Sequence, residues 1–331
     1  MTHGMECSYV LPLRRSSVED VAELAAYLER VARWCDVVVV DGSPPPVFAA
    51  HRAAWSTAIR HLPPDPDLAF RMGKVDGVVT GLRHAHHDRV VIADDDVRYD
   101  HQGLRRVVAL LDEAEVVRPQ NYFSATVLPW HAYWDTGRTL LNRWFGGDWP
   151  GTLGVRRSVL LATGGYDGDV MFENLELVRT VQAVGGRMVT PLDLYVARLP
   201  PTTRHFLGQR VRQAYDEFAR PVRMAAYLAL LPAAALAAAR GRKGALVAAG
   251  AATVAVAEGA RRRAGGTAVF PPAASLCAPL WVAERAVCAW LAVVSRLRWG
   301  GVRYGSTVIP RAATPLRTLR RRHAAAPDRA A

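Results

Sequence analysis

The first two hundred residues alternate short apolar runs with segments whose apolar positions recur at helical spacing. Tyr9–Leu13 (YVLPL) predicts a strand. Ser16 and Ser17 then offer an N-cap, and Val18, Val21, Leu24, Ala25, Leu28 and Val31 follow at helical spacing. Val37–Val40 is an unbroken β-branched run, the composition of a strand buried on both faces. It ends at Asp41-Gly42-Ser43, and Pro44–Pro46 close it. A helix is predicted from roughly Lys74 to Ala85 and a strand over Arg89–Ala93, which runs into Asp94-Asp95-Asp96. Another helix (roughly Gln102–Ala114) and a strand (Glu115–Arg118) follow. Strands alternating with helices predict an α/β, Rossmann-like, mostly parallel sheet with helices on both faces. Such sheets bind ligands at the carboxyl ends of strands, where Asp41 and Asp94–Asp96 fall.

The pattern loosens over residues 119–203. Trp130, Tyr133, Trp134, Trp144, Phe145 and Trp149 form an aromatic stretch, read as core and groove wall together. Gly151–Gly154 is a run of small residues, and Phe172-Glu173-Asn174-Leu175-Glu176-Leu177 opens a helix. After Pro221 the character changes. Met224–Ala239 carries no charge and is interrupted by Pro232; Arg240-Gly241-Arg242-Lys243 is a basic turn; Gly244–Ala257 is again uncharged. Each run is shorter than the roughly 20 residues that span a bilayer, so a tight membrane hairpin is expected, with an in-plane or re-entrant pair as the alternative. Residues 276–294 set Glu284 and Arg285 among Leu280, Trp281, Val287, Trp290 and Leu291, the pattern of an amphipathic interfacial helix.

Charge changes the picture once it is located. The 331 residues carry a net charge of +12. Residues 1–203 hold 21 basic and 25 acidic side chains, and residues 204–331 hold 21 and 5, giving −4 and +16. Arg flanking apolar, Ala-rich segments points to an anionic lipid surface rather than nucleic acid. A nucleic-acid binder would show salt-sensitive affinity in the basic half, and the apolar 224–257 segment argues against it. Cys7, Cys35, Cys277 and Cys288 have no metal-ligand spacing and read as free thiols. Met1–Ser17 has no apolar run of signal-peptide length, so the body is expected on the cytoplasmic side of the cell membrane.

Three adjacent carboxylates at a strand end repel one another unless a cation compensates them. In a strand, residues 94 and 96 point the same way, so Asp94 and Asp96 can share Mg²⁺ or Mn²⁺. Such an ion needs only one or two carboxylates when a diphosphate completes its shell. His84, His86 and His87 sit at a helix end and read as surface residues.

Taken in order, Asp41-Gly42-Ser43, Gly73-Lys74-Val75 and Val90–Asp96 resemble the nucleotide-sugar-binding half of the family 2 glycosyltransferases, which have the GT-A fold. Gly151 through Arg156-Arg157, Gly164-Gly165-Tyr166, Glu173–Arg179 and Gln209-Arg210-Val211-Arg212-Gln213 continue the likeness. Trp299-Gly300-Gly301-Val302-Arg303-Tyr304 brings it nearest to the membrane-associated ceramide-glucosyltransferase-like branch. The resemblance implies that Asp41 contacts the base or ribose, and that Lys74, Asp95, Gln209 and Arg212 serve the nucleotide sugar. It also implies that Asp94 and Asp96 hold the metal.

Two positions depart from the pattern. Asn174 stands where the family has its catalytic Asp, and an amide cannot accept the acceptor's proton, so Glu173 or Glu176 would serve. Gln213 stands where the family has Trp. The expected activity is inverting, metal-dependent transfer from a nucleotide-sugar donor to a hydroxyl acceptor, lipid or lipid-linked. The alternative is a catalytically impaired nucleotide-sugar-binding relative. The expected organisation is a GT-A catalytic domain over 1–221, a membrane hairpin with interfacial helix over 222–295, and a basic cytosolic tail over 296–331.

Overall fold

A computed structural model describes residues 4–18 and 21–325. The chain forms two compact units that do not follow sequence order. The first takes the residues up to Pro119, Pro150–Pro191 and those from Thr314 on; the second takes Gln120–Trp149 and Leu192–Ala313.

The first unit is built on a seven-stranded sheet. Its strand order is Ile59–Leu62, Asp36–Asp41, Ser8–Leu13, Arg89–Ala93, Thr152–Arg156, Val116–Val117 and Met188–Val189. Every pairing is parallel except those of Thr152–Arg156, which runs antiparallel to both neighbours. The central strands are apolar on both faces, with Val10, Leu11, Val37–Val39, Val90 and Val91 buried, because helices cover both sides. The predicted strands at Tyr9–Leu13, Val37–Val40 and Arg89–Ala93 are present. Thr152–Arg156 went unread: two small residues, Thr152 and Gly154, hide its alternation. Helix Gly73–His84 lies on strand Ser8–Leu13 so closely that a Cβ on Gly81 would meet Val10 Cγ1 at 2.2 Å. That approach, which only glycine permits, fixes where the helix start delivers Lys74.

The second unit is mostly helical. Helices Trp130–Trp144, Lys243–Arg262, Pro272–Leu276 and Ala278–Trp299 pack around Leu140, Ala257, Phe270, Ala274 and Trp281. Strands Gln120–Phe123 and Tyr195–Arg198 pair in parallel. The aromatic stretch read as core lies largely on this helix start and end, and Trp130, Trp144 and Phe145 are exposed instead. Helix Pro221–Ala239 continues through Pro232, which costs one backbone hydrogen bond.

Two helices, Pro221–Ala239 and Ala278–Trp299, are long and apolar enough to cross a membrane. They differ in setting: 6% of the apolar window is buried in the first and 44% in the second. The second is inside out. Arg285 is only 2% exposed, and Glu284 accepts a hydrogen bond from Trp134 Nε1 at 2.9 Å. Leu280, Val287, Leu291 and Val294 face outward. The sequence pattern placed the charged pair toward water; tertiary packing turns it toward the protein.

Residues 300–325 of the basic C-terminal segment contain a hairpin and a helix. Val302–Tyr304 and Thr307–Ile309 form an antiparallel hairpin within the second unit. In the first unit, helix Leu316–Ala324 buries Leu319, and Thr314 binds helix Glu173–Ala183 through Arg179 Nη1, which donates to its carbonyl at 2.9 Å.

Candidate active site

The first unit brings three of the expected residues together. Lys74, in the first turn of helix Gly73–His84, places Nζ 2.6 Å from Asp94 Oδ1 and 2.5 Å from Glu173 Oε1. Asp94 arrives from the end of strand Arg89–Ala93 and Glu173 from the first position of helix Glu173–Ala183. Helix starts carry positive potential, which favours the Glu173 carboxylate there. Burial works against the Lys74 ammonium, but the two carboxylates outweigh it and hold its pKa above the ordinary lysine value. The cluster stays reachable: the side chains of Lys74 and Asp94 are 21% and 27% exposed.

Strand Thr152–Arg156 shapes this point. Asp94 N–H donates to the Gly151 carbonyl at 2.8 Å, and a Cβ on Gly151 would stand 2.7 Å from Asp94 Oδ2. Glycine there makes room for the carboxylate. Behind the cluster Tyr166 is buried; burial first, then the Glu173 charge, raise its pKa, so it stays a neutral phenol.

Asn174 has a definite task. Its Nδ2 donates to the Pro150 carbonyl at 3.2 Å, tying the helix start to the segment that leads into Gly151. A carboxylate, which has no donor, could not make that bond. The backbone N–H of Asn174 donates to Glu173 Oε2, so Glu173 is held from both sides.

The remaining expected residues are placed elsewhere. Glu176 lies three residues beyond Glu173 on the same helix. Glu176 is fully buried and accepts the Thr314 N–H at 2.5 Å, pinning the C-terminal segment. Asp95 is turned to Arg15, whose Nε and Nη2 donate at 3.1 and 3.0 Å. Asp96 is half-buried one residue on.

Asp41 is buried, and both its oxygens are engaged by the protein. Oδ1 accepts the Ser43 N–H at 2.9 Å, and Oδ2 lies 2.7 Å from His51 Nδ1 and 3.0 Å from His61 Nε2. Burial opposes its ionisation, but these hydrogen bonds prevail and hold its pKa well below the usual carboxylate range. The two histidines escaped sequence reading because both lie within strand and helix segments whose pairing with Asp41 is tertiary.

Gln209 and Arg212 belong to the second unit. Gln209 Nε2 contacts His205 Nε2 one turn back, and Arg212 lies over the Tyr304 ring at 5.4 Å. Between them in sequence, Arg210 is buried and pairs with Asp135 at 3.1 Å. His84 and His86 face Asp65 and Asp36 on the surface of the first unit, at 3.3 and 3.6 Å.

Among the described residues, no three His, Cys, Asp or Glu side chains gather as a metal-binding group. The carboxylates at the end of strand Arg89–Ala93 are of the type that Mg²⁺ or Mn²⁺ takes one or two at a time, with phosphate or water as further ligands.

No family model and no curated protein matches the sequence. Solved structures do match. The mannosyltransferase PcManGT from Pyrobaculum calidifontis, in complex with GDP-Man and Mn²⁺, aligns over 87% of this chain and 88% of its own, at 23% identity and a TM-score of 0.54. Residues 1–349 of S. aureus TarS align over 59% and 60%, at 15% identity and a TM-score of 0.40. Glucosyl-3-phosphoglycerate synthase of M. tuberculosis aligns over 60% and 74%, at 18% identity and a TM-score of 0.40. The first of these, which spans both units, identifies the architecture: the protein has a GT-A fold with apolar helices near its C-terminus.

Proposed function

We propose that the protein is a metal-dependent, inverting glycosyltransferase that moves a sugar from a nucleotide-sugar donor to a hydroxyl acceptor. One observation carries this reading: Lys74, Asp94 and Glu173 converge at a strand end of a GT-A sheet, open to solvent. The mannosyltransferase with the same architecture holds GDP-Man and Mn²⁺, which supports a nucleotide-sugar donor and a divalent cation here.

Asp94 and Asp96 would hold the Mg²⁺ or Mn²⁺, which would neutralise charge developing on the leaving diphosphate. Lys74 contributes a further fixed positive charge beside that site. Glu173 is the base of this reading; Glu176 is spent on Thr314. The acceptor hydroxyl gives its proton to Glu173 as its oxygen bonds the anomeric carbon, and the bond from that carbon to the diphosphate oxygen breaks. Attack opposite the leaving group inverts the anomeric centre. Arg15, paired with Asp95, is assigned to the nucleotide diphosphate, for its planar fork. Asp41, held by His51 and His61, shapes the floor at the end of its strand rather than reaching out to the base.

Membrane association belongs to the same reading. An apolar helix with 6% of its window buried, beside a helix that turns charge inward and leucine outward, suits hydrocarbon better than water. The same reading extends to a lipid or lipid-linked acceptor at the cytosolic leaflet, which the exposed apolar helix supports. The test uses the full-length protein in detergent or nanodiscs with Mn²⁺. Nucleotide sugars are screened first by thermal shift, then by mass spectrometry of extracted lipid products. A donor-specific rise in Tm with lipid glycosylation is expected; binding without turnover of any donor defeats the enzyme assignment.

A further inference from the structure

Lys74 neutralises two groups that the proposed chemistry needs unencumbered. Its ammonium touches the carboxylate assigned to the metal and the carboxylate assigned as base, at 2.6 and 2.5 Å. The other charge of the acidic triplet that faces a cation, Asp95, already has Arg15 at 3.0 Å. Two cations of the chain thus already pair with carboxylates of the acidic strand end, and one of them, Lys74, is on a carboxylate assigned to the metal.

We propose that Lys74 is the resting counter-ion of this site, competing with a divalent cation for Asp94 and holding Glu173 in an ion pair until the donor complex forms. The inference rests on the function proposed above and adds its regulation. Three observations carry it. Lys74 is the sole lysine of the first 242 residues, so no other ammonium of this segment can serve. Its backbone is positioned from behind: the close approach of Gly81 to Val10 sets helix Gly73–His84 against the sheet and so fixes where the helix start lies. And the cluster is open enough to exchange partners, with Lys74 21% and Asp94 27% exposed. When a divalent cation takes Asp94, Lys74 loses one of its two anchors. The diphosphate of the donor offers it new oxygens, and Glu173 is then released to accept a proton. Metal, donor and base activation are coupled through one side chain. The site is thereby guarded against bare metal and against an ionised, unpaired Glu173 in the absence of donor.

The test measures Mn²⁺ binding by electron paramagnetic resonance and calorimetry on the full-length protein, with and without a nucleoside diphosphate. Lys74→Met and Lys74→Gln are the variants. Lys74→Gln keeps hydrogen-bonding capacity toward both carboxylates and so protects the fold if Lys74→Met misfolds. Without nucleotide, each folded variant is expected to bind Mn²⁺ at least ~10-fold more tightly than wild type, because a like charge has left the site. Unchanged or weaker Mn²⁺ binding in the variants, while wild type with nucleoside diphosphate binds Mn²⁺, overturns the counter-ion role and leaves the transferase reading standing. Absence of Mn²⁺ binding in wild type and variants alike, with nucleotide present, overturns both.

Discussion

The two units each bury a cluster of opposite charges, and the clusters are built to different ends. In the second unit, Asp135 Oδ1 accepts from Arg138 and Arg210 at 3.0 and 3.1 Å. Asp148 accepts from Arg138 and Asn142 on one oxygen and from Thr139 on the other, each at 2.8 Å. Arg210 lies 3.6 Å from Glu284 and over the Phe206 ring. The side chains of Asp135 and Arg210 are each 7% exposed. This network binds helices Trp130–Trp144, Thr203–Tyr215 and Ala278–Trp299 together through charges paired within the protein. In the first unit, Lys74, Asp94 and Glu173 are more exposed and sit at a strand end, with one cation between two carboxylates. The difference separates charges that hold a fold from charges that can exchange partners.

Four substitutions would sharpen or break that contrast. Glu173→Gln should reduce turnover by about 10²–10⁴ with little change in donor affinity, since a base acts in the transition state. Steady-state kinetics and thermal unfolding check it, and full activity would return the base to Glu176. Asp135→Ala should leave Arg138 and Arg210 buried without their carboxylate and cost about 3–5 kcal/mol of stability. Chemical denaturation measures this, and a loss below about 1 kcal/mol would mean the network is no clamp.

Gly151→Ala crowds the Asp94 carboxylate and should cost about 1–3 kcal/mol, with weakened Mn²⁺ binding. Wild-type Mn²⁺ affinity in that variant would contradict the placement of Asp94. The smallest effect concerns pH. The folded pKa of Asp41 lies below its unfolded value, so its contribution is complete above the unfolded value of about 3.9 and is lost as pH falls. Asp41→Asn should therefore flatten the acid limb of a stability–pH curve below about pH 4 and leave its shape near neutrality unchanged. An acid limb as steep as that of wild type would show that other carboxylates govern it.

Much of the first unit was legible locally. Val37–Val40 and Val90–Ala93 are apolar at successive positions, which a half-exposed helix face cannot accommodate, and each ends in Asp. The acidic triplet was visible for the same reason. What joined it to Glu173 was not, because Lys74 and Glu173 are 99 residues apart and nothing in their local pattern couples them. The role of Asn174 was equally hidden: read against its family it is a lost base, while in the fold it is a donor to Pro150. Glu176 looked interchangeable with Glu173 by helical spacing, until the chain returned at Thr314 to claim it.

The amino-acid sequence by itself determined the strands at Tyr9–Leu13, Val37–Val40 and Arg89–Ala93, the division of charge into −4 and +16, and the set of carboxylates and cations available for chemistry. Those properties follow from side-chain periodicity and composition, which act over a few residues. Only the tertiary structure decided which charges are spent. It buried Arg285 and turned Glu284 toward Trp134 on a helix whose pattern promised them to water, tied Asp41 to two histidines, and left Lys74 shared between Asp94 and Glu173. The physical reason is that the worth of an ion pair depends on its burial and its other partners, and these are set by segments distant in the chain.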